Sequence, residues 1–201
     1  MLFRSLACGR GAVVAVGAGG HIRYRMDGGA WAAASSGTTQ LLHGVDFVNG
    51  HFLAVGGGGT LLVSPNGRDW SARPSGVAHS LYQSAYGGGR YVVVGDGGTV
   101  VTSGDGLTWT VVAIPGVTAP LAGVAQGTGG FAVASEAGHL LTSPDGLTWT
   151  ARTNPLGVGL NRLIFAGGRY HAFTLGNTNY LVSTDGATWV PAQHGSANVN
   201  V

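Results

Sequence analysis

The sequence predicts an all-β fold, a five-bladed β-propeller whose blades are four-stranded antiparallel sheets. The first observation is that the five tryptophans recur every 39 or 40 residues, at Trp31, Trp70, Trp109, Trp149 and Trp189. The second is that an Asp-Gly or Asn-Gly step precedes each tryptophan. The third is that short apolar runs alternate with glycine-rich turns through every repeat. A period of about forty residues with four strands per repeat is typical of propeller blades.

The third repeat shows the four predicted strands most clearly. They lie at about 81–86, 91–94, 99–103 and 109–113, and glycine-rich turns separate the first three. Strand-sized apolar runs between such turns indicate an antiparallel meander. A lone sheet of this kind would expose two apolar faces, and radial stacking of neighbouring sheets would bury them.

Alignment on tryptophan divides one domain, residues 1–201, into five repeats. They span about 2–40, 41–79, 80–119, 120–158 and 159–193, and a tail, 194–201, follows. The first repeat already begins with an inner strand, so no N-terminal strand remains to complete the last blade. We expect a closed monomeric ring, sealed by side-chain packing or by the tail. An oligomeric ring formed between chains and a portion of a longer propeller are the alternatives.

The segment before each tryptophan is a predicted tight turn. Three copies read Ser-x-Asp-Gly-x-Thr-Trp, whereas the second has asparagine and the first keeps only Asp-Gly and the tryptophan. Glycine adopts positive φ without a Cβ clash, and an aspartate side chain accepts hydrogen bonds from nearby backbone N–H groups. We therefore assign a structural role to the turn residues Asp27, Asn66, Asp105, Asp145 and Asp185 and to the five tryptophans.

This motif resembles the Asp box of BNR-type repeats, although it has one residue fewer between aspartate and glycine. The resemblance covers about residues 2–193 and extends to bacterial propellers related to photosystem II assembly factors. It implies a propeller fold and favours an extracytoplasmic location, although the chain shows no signal peptide. Asp boxes lie on hairpins away from the usual binding face, so the resemblance implies that ligands bind on the opposite face.

Composition argues against several other classes of protein. The basic residues are ten dispersed arginines and the formal net charge is +2, whereas nucleic-acid binding needs a concentrated positive surface. No apolar run approaches the length of a membrane span. Cys8 is the single cysteine, so no internal disulfide forms. The seven histidines show no metal-ligand spacing, and we expect neither a metal nor a cofactor.

The candidate binding site lies at the mouth of the predicted channel. The second residue of each inner strand varies among Arg4, His43, Tyr82, Ala122 and Asn161, and the residue before it is always Phe or Leu. Loops on the same face add Asp96 and Glu136, and the connections from a fourth strand to the next blade, at about 72–80 and 151–159, add Arg73 and Arg152. The polar members of this set could form a binding pocket, or they could simply be solvated channel side chains.

These observations favour a non-catalytic binding or scaffold module with a glycan or protein partner. The alternative is a sialidase-like glycoside hydrolase on the same face, because sialidases belong to the Asp-box family. Such an enzyme needs an arginine triad, a tyrosine–glutamate nucleophile and an acid–base aspartate. The only glutamate is Glu136, and no Phe-Arg-Ile-Pro-like motif is present.

Overall fold

The computed structural model describes residues 2–174 and 179–193, and the predicted sealing tail, 194–201, lies outside the described residues. Within the described ranges the chain forms twenty strands in five separate four-stranded antiparallel sheets. In every sheet the four strands are hydrogen-bonded in chain order. The prediction of an all-β fold with five four-stranded blades is confirmed.

The strands of each blade are labelled in chain order, and the first of the four is the inner strand. Blade 1 contains β1 (Phe3–Gly9), β2 (Ala12–Gly17), β3 (Ile22–Met26) and β4 (Ala32–Ala34). Blade 2 contains β5 (Leu42–Val48), β6 (His51–Gly56), β7 (Leu61–Ser64) and β8 (Ser71–Ala72). Blade 3 contains β9 (Leu81–Gly87), β10 (Arg90–Gly95), β11 (Val100–Ser103) and β12 (Thr110–Val112). Blade 4 contains β13 (Leu121–Gly127), β14 (Gly130–Ser135), β15 (Leu140–Ser143) and β16 (Thr150–Arg152). Blade 5 contains β17 (Leu160–Ala166), β18 (Arg169–Thr174), β19 (Asn179–Ser183) and β20 (Val190–Gln193).

The turn between the third and fourth strands has the hydrogen bonding expected of the Asp-Gly motif. In blade 3, Asp105 Oδ1 accepts hydrogen bonds from the backbone N–H groups of Leu107 and Thr108, both at 2.8 Å. Ser103 Oγ donates to the same oxygen at 2.9 Å and accepts from the N–H of Gly106, also at 2.9 Å. Gly106 has φ +72°, which an L residue rarely adopts. One carboxylate oxygen therefore organises the whole turn.

Neighbouring blades pack through apolar faces. Each blade turns a front face toward the preceding blade and a back face toward the following one. Between blades 4 and 5, for example, Ala132 and Leu140 of one back face share a cluster with Leu160, Tyr170 and Trp189 of the next front face. Equivalent clusters join blades 1 and 2, 2 and 3, and 3 and 4. Most of the stabilising apolar burial lies between sheets.

Blade 1 differs from the others because its front face is open. Among the described residues, no hydrophobic cluster joins blade 5 to blade 1. Phe3 of this face is 39% exposed, whereas its equivalents Leu42, Leu81, Leu121 and Leu160 are completely buried. The described residues therefore form an arc and not the expected closed ring.

Candidate functional site

The inner strands of all five blades surround one central cavity of about 260 Å³. Its lining includes all five residues of the predicted channel-mouth column, Arg4, His43, Tyr82, Ala122 and Asn161. The structure thus brings together the five residues that the repeat aligns in one column.

A β-bulge at the start of every inner strand explains why this column faces the cavity. In blade 2, Leu42 pairs with Gly56 and Gly44 pairs with Val55, so that His43 has no cross-strand partner. In the other blades the same bulge leaves one residue without a cross-strand partner, namely Arg4, Tyr82, Ala122 or Asn161. A bulge leaves one residue unpaired and re-aims its side chain. The repeat thus presents one variable residue per blade to the channel.

His43 and Tyr82 form the aromatic part of the site. Their rings meet edge to face, with 5.0 Å between centroids and an interplanar angle of 89°. Burial lowers the pKa of His43, the positive charge of Arg4 lowers it further, and Asp96 opposes both effects. The imidazole is therefore mainly neutral at pH 7.

Asp96 and Glu136 of the loops lie near enough to act on Tyr82. Burial raises the pKa of the Tyr82 hydroxyl most, a hydrogen bond to Asp96 raises it further, and the charges of Asp96 and Glu136 add to the effect. A phenol that donates to a carboxylate stays protonated, because the hydrogen bond stabilises its neutral form. Two acidic groups thus stand beside a neutral phenol and a neutral imidazole.

The structure adds a deeper polar group that sequence reasoning did not assign to the site. Asp46 and Arg162 both line the cavity. Asp46 Oδ2 accepts hydrogen bonds from Ser84 Oγ at 2.5 Å and from the Ser84 N–H at 3.3 Å. Burial raises the pKa of Asp46, while the Ser84 bonds and the charge of Arg162 partly offset that rise. One sequence signal could have identified Asp46. It is the only carboxylate at its position in the repeat, where the other blades have Ala7, Ala85, Ala125 and Ile164.

Asn161 contributes a buried acceptor to the same cavity. Its Oδ1 atom is buried and has no hydrogen-bond partner among the described residues. An unpaired buried amide oxygen costs about 1–3 kcal/mol, which a ligand donor would recover. This oxygen is therefore a suitable contact point for an N–H or O–H group.

Arg73 and Arg152 do not belong to the channel mouth, which corrects the sequence-based grouping. Arg152 ends β16, the outermost strand of blade 4, and its Nε donates to Thr142 Oγ1 at 2.8 Å. Arg73 directly follows β8, the outermost strand of blade 2, and neither arginine lines the cavity. Two strands separate each of these outermost strands from the inner strand of its blade.

Neither a metal site nor a membrane helix appears in the part of the chain that the structure describes. No group of three or more His, Cys, Asp or Glu side chains there could hold a metal ion. Within the same residues, the longest helical segments are single turns, far too short to cross a bilayer.

The bladed sheets and the axial cavity define the class of protein, a β-propeller. The structure is similar to YCF48 bound to D1 peptide, with 17% identity, a TM-score of 0.69, and coverage of 95% of this chain and 68% of that chain. YCF48 from Cyanidioschyzon merolae has 16% identity, a TM-score of 0.65 and coverage of 94% and 71%. Virginiamycin B lyase from Staphylococcus aureus has 8% identity, a TM-score of 0.84 and coverage of 98% and 71%. No family model and no curated protein sequence matches the chain. These likenesses show the fold.

Proposed function

We propose that the protein is a non-catalytic binding module that holds an extended segment of a partner protein at the channel mouth. The observation that carries this proposal is the column of bulge residues, in which Arg4, His43, Tyr82 and Asn161 converge on one cavity. A fixed scaffold with one variable side chain per blade is suited to recognition. We also infer that the Asp-Gly turns are a short form of the Asp box, since one aspartate oxygen organises the turn in blades 3, 4 and 5.

The chemistry of the cavity suits a peptide better than a sugar ring. Arg4 and Arg162 can donate to peptide carbonyls or carboxylates, and the Asn161 oxygen and the Asp46 carboxylate can accept from N–H groups. A volume of about 260 Å³ admits a side chain or a short strand of backbone and excludes a folded domain. The bound peptide in one similar propeller supports this choice of ligand class.

A glycoside hydrolase of the sialidase class is the second candidate. The grouping of Tyr82 with Asp96 and Glu136 favours it, because these residue types form the nucleophile and acid of that class. The raised pKa of Tyr82 argues against it, since a tyrosine nucleophile must lose its proton in the reaction. Hydrolysis of 4-methylumbelliferyl sialoside that is lost in Tyr82→Phe would support this candidate over the binding module.

The binding proposal can be tested with a peptide array and a glycan array probed with the same protein. The triple variant Arg4→Ala/His43→Ala/Tyr82→Ala removes the site, and Arg73→Ala/Arg152→Ala serves as the matched control on the outer strands. We expect peptide binding by the wild type and the control and at least a tenfold loss in the triple variant, about 1.4 kcal/mol. Equal binding by all three proteins would refute the channel site.

A further inference from the structure

The sequence contains two Asn-Gly steps, and the fold places both of them in turns of blade 2. Asn49-Gly50 joins β5 to β6 as a two-residue hairpin, and Asn66-Gly67 lies in the turn between β7 and β8. In an Asn-Gly step, the glycine nitrogen can attack the side-chain carbonyl of the asparagine, because no Cβ shields that nitrogen. The two steps therefore carry the same chemistry and differ in their surroundings.

The surroundings of Asn66 restrain both reacting groups. Gly67 is buried, and its N–H donates to Ser64 Oγ at 2.8 Å. Asn66 Oδ1 accepts hydrogen bonds from the N–H groups of Arg68 and Asp69 at 3.0 and 2.9 Å, and Nδ2 donates to Asp69 Oδ2 at 2.9 Å. Attack by the Gly67 nitrogen would break these hydrogen bonds, so the turn raises the activation free energy of the reaction.

The hairpin at Asn49 lacks these restraints. Asn49 is exposed, and within the described residues neither its Oδ1 atom nor the N–H of Gly50 makes a hydrogen bond. Its Nδ2 atom donates to the hydroxyl of Tyr91 on blade 3 at 3.0 Å. The attacking nitrogen and the attacked carbonyl of this step are thus free to approach each other, and the contact with Tyr91 involves the leaving group alone.

His51 activates the Gly50 nitrogen through the peptide group that links Asn49 to Gly50. Its Nδ1 atom lies 3.0 Å from the carbonyl oxygen of Asn49, which can only accept, so the ring donates from Nδ1. A hydrogen bond to this oxygen polarises the peptide group and makes its N–H more acidic. Arg10 adds a positive charge beside the same nitrogen, since a Cβ placed on Gly50 would lie 3.1 Å from Arg10 Nη2.

We propose that Asn49 is a site of deamidation, promoted by His51, whereas Asn66 in the same blade is protected. The Gly50 N–H gives its proton to solvent, and the nitrogen forms a bond to Asn49 Cγ. The side-chain nitrogen takes up a proton and leaves as ammonia. Water then opens the cyclic imide at either of its two carbonyls, which yields aspartate or isoaspartate. The reaction consumes water and needs no other reagent.

The two products differ in their effect on the junction of blades 2 and 3. The carboxylate of an aspartate accepts a hydrogen bond from the Tyr91 hydroxyl, so the contact between the blades persists with its direction reversed. Isoaspartate instead routes the main chain through the side chain and lengthens the hairpin by one backbone atom. Because loop length fixes hairpin register, this product disturbs the pairing of Val48 with His51.

The test is chymotryptic peptide mapping by mass spectrometry of the folded chain during incubation at pH 8. Chymotrypsin cuts between the two asparagines, for example after Phe52. We expect Asn49 to react faster than Asn66 by roughly tenfold or more, about 1.4 kcal/mol in activation free energy. Isomerisation of the Asp-Gly turns leaves the mass unchanged, so a gain in mass reports on asparagine. An isoaspartate-specific carboxyl methyltransferase identifies the second product.

Unfolded chain and two variants separate the effect of the fold from that of the Asn-Gly step. In urea the two asparagines should react at similar rates. Ser64→Ala frees the Gly67 N–H and should speed the reaction at Asn66 without changing that at Asn49. His51→Ala should slow the reaction at Asn49 without changing that at Asn66. Thermal midpoints of the fresh variants check that each one is folded.

Three outcomes would overturn the proposal. Equal rates at Asn49 and Asn66 in the folded chain would show that the turns do not control the reaction. Aspartate as the sole product would rule out attack by the Gly50 nitrogen, because an imide also opens to isoaspartate. An unchanged rate at Asn49 in His51→Ala would rule out activation by the imidazole.

Discussion

Ser84 Oγ donates a hydrogen bond to Asp46 Oδ2 at 2.5 Å and so ties the inner strands of blades 2 and 3 together beside the channel. The short distance is typical of a hydroxyl that donates to a carboxylate. Asp46 also lines the central cavity, so one residue joins the packing of two blades to the polar chemistry of the site.

Asp46 should make stability fall as pH rises above 4. Its pKa is raised in the folded protein, so the folded state favours the protonated form. This contribution is complete below the unfolded pKa of about 3.9 and is lost as pH rises through the folded value. Asp46→Asn cannot titrate. In urea titrations, the free energy of unfolding of the variant minus that of the wild type should be larger at pH 7 than at pH 4. An equal difference at the two pH values would contradict this prediction.

The Asp-Gly turns should have the opposite pH dependence. Hydrogen bonds from the backbone N–H groups of Thr108 and Leu107, and then from the side-chain hydroxyl of Ser103, lower the pKa of Asp105 from 3.8 to about 2. The stabilisation of the turn is therefore complete at pH values above 3.8, the pKa of Asp105 in the unfolded chain. It is lost as the pH falls through the folded pKa of about 2.

The second repeat supplies the matched variant for that prediction. Asn66 Oδ1 accepts hydrogen bonds from the N–H groups of Arg68 and Asp69 at 3.0 and 2.9 Å, so an amide keeps the turn without titrating. Asp105→Asn should therefore fold normally at pH 7 and flatten the fall in thermal midpoint between pH 4 and pH 2. A fall as steep as that of the wild type would argue against the role of Asp105.

Truncation of tryptophan should have very different costs in different blades. Trp189 is buried, packs with 6.1 Å between its centroid and that of Tyr170, and donates from Nε1 to the carbonyl of Gly186 at 2.7 Å. Trp189→Ala should cost about 3–5 kcal/mol, the range for emptying a large aromatic site. Trp31→Ala on the open face should cost about 1 kcal/mol or less. Guanidinium titration of both variants checks the contrast, and similar losses would mean that blade 1 is covered.

Two glycines with positive φ should respond differently to a methyl group. A Cβ on Gly98 would lie 2.0 Å from the carbonyl oxygen of Val117, whereas one on Gly88 would meet nothing within 4 Å. Gly88→Ala should cost about 1–2 kcal/mol from the left-handed backbone alone. Gly98→Ala adds a backbone clash and should cost about 3 kcal/mol or more. Equal denaturant midpoints for the two variants would refute the close approach of Gly98 to the carbonyl oxygen of Val117.

Local signals in the sequence were enough to predict the blades. The tryptophan period and the Asp-Gly turns specify strands at fixed spacing, and in blades 2–5 the hydrogen bonds of each turn form within seven residues. The channel-mouth column could also be predicted from the repeat. A bulge at the same point of every repeat turns Arg4, His43 and Tyr82 toward the same cavity. Arg73 and Arg152 were misplaced because a loop face could be read from the repeat, whereas radial distance from the axis could not.

The sequence by itself determined the number of blades, their strand order and the variable residue that each presents to the channel, because these depend on contacts within one repeat. Only the tertiary structure decided whether the ring closes and which polar groups meet. Both depend on contacts between different repeats, and no single repeat records them. Asp46 of blade 2 meets Ser84 of blade 3, and Leu6 is exposed because no described sheet covers it.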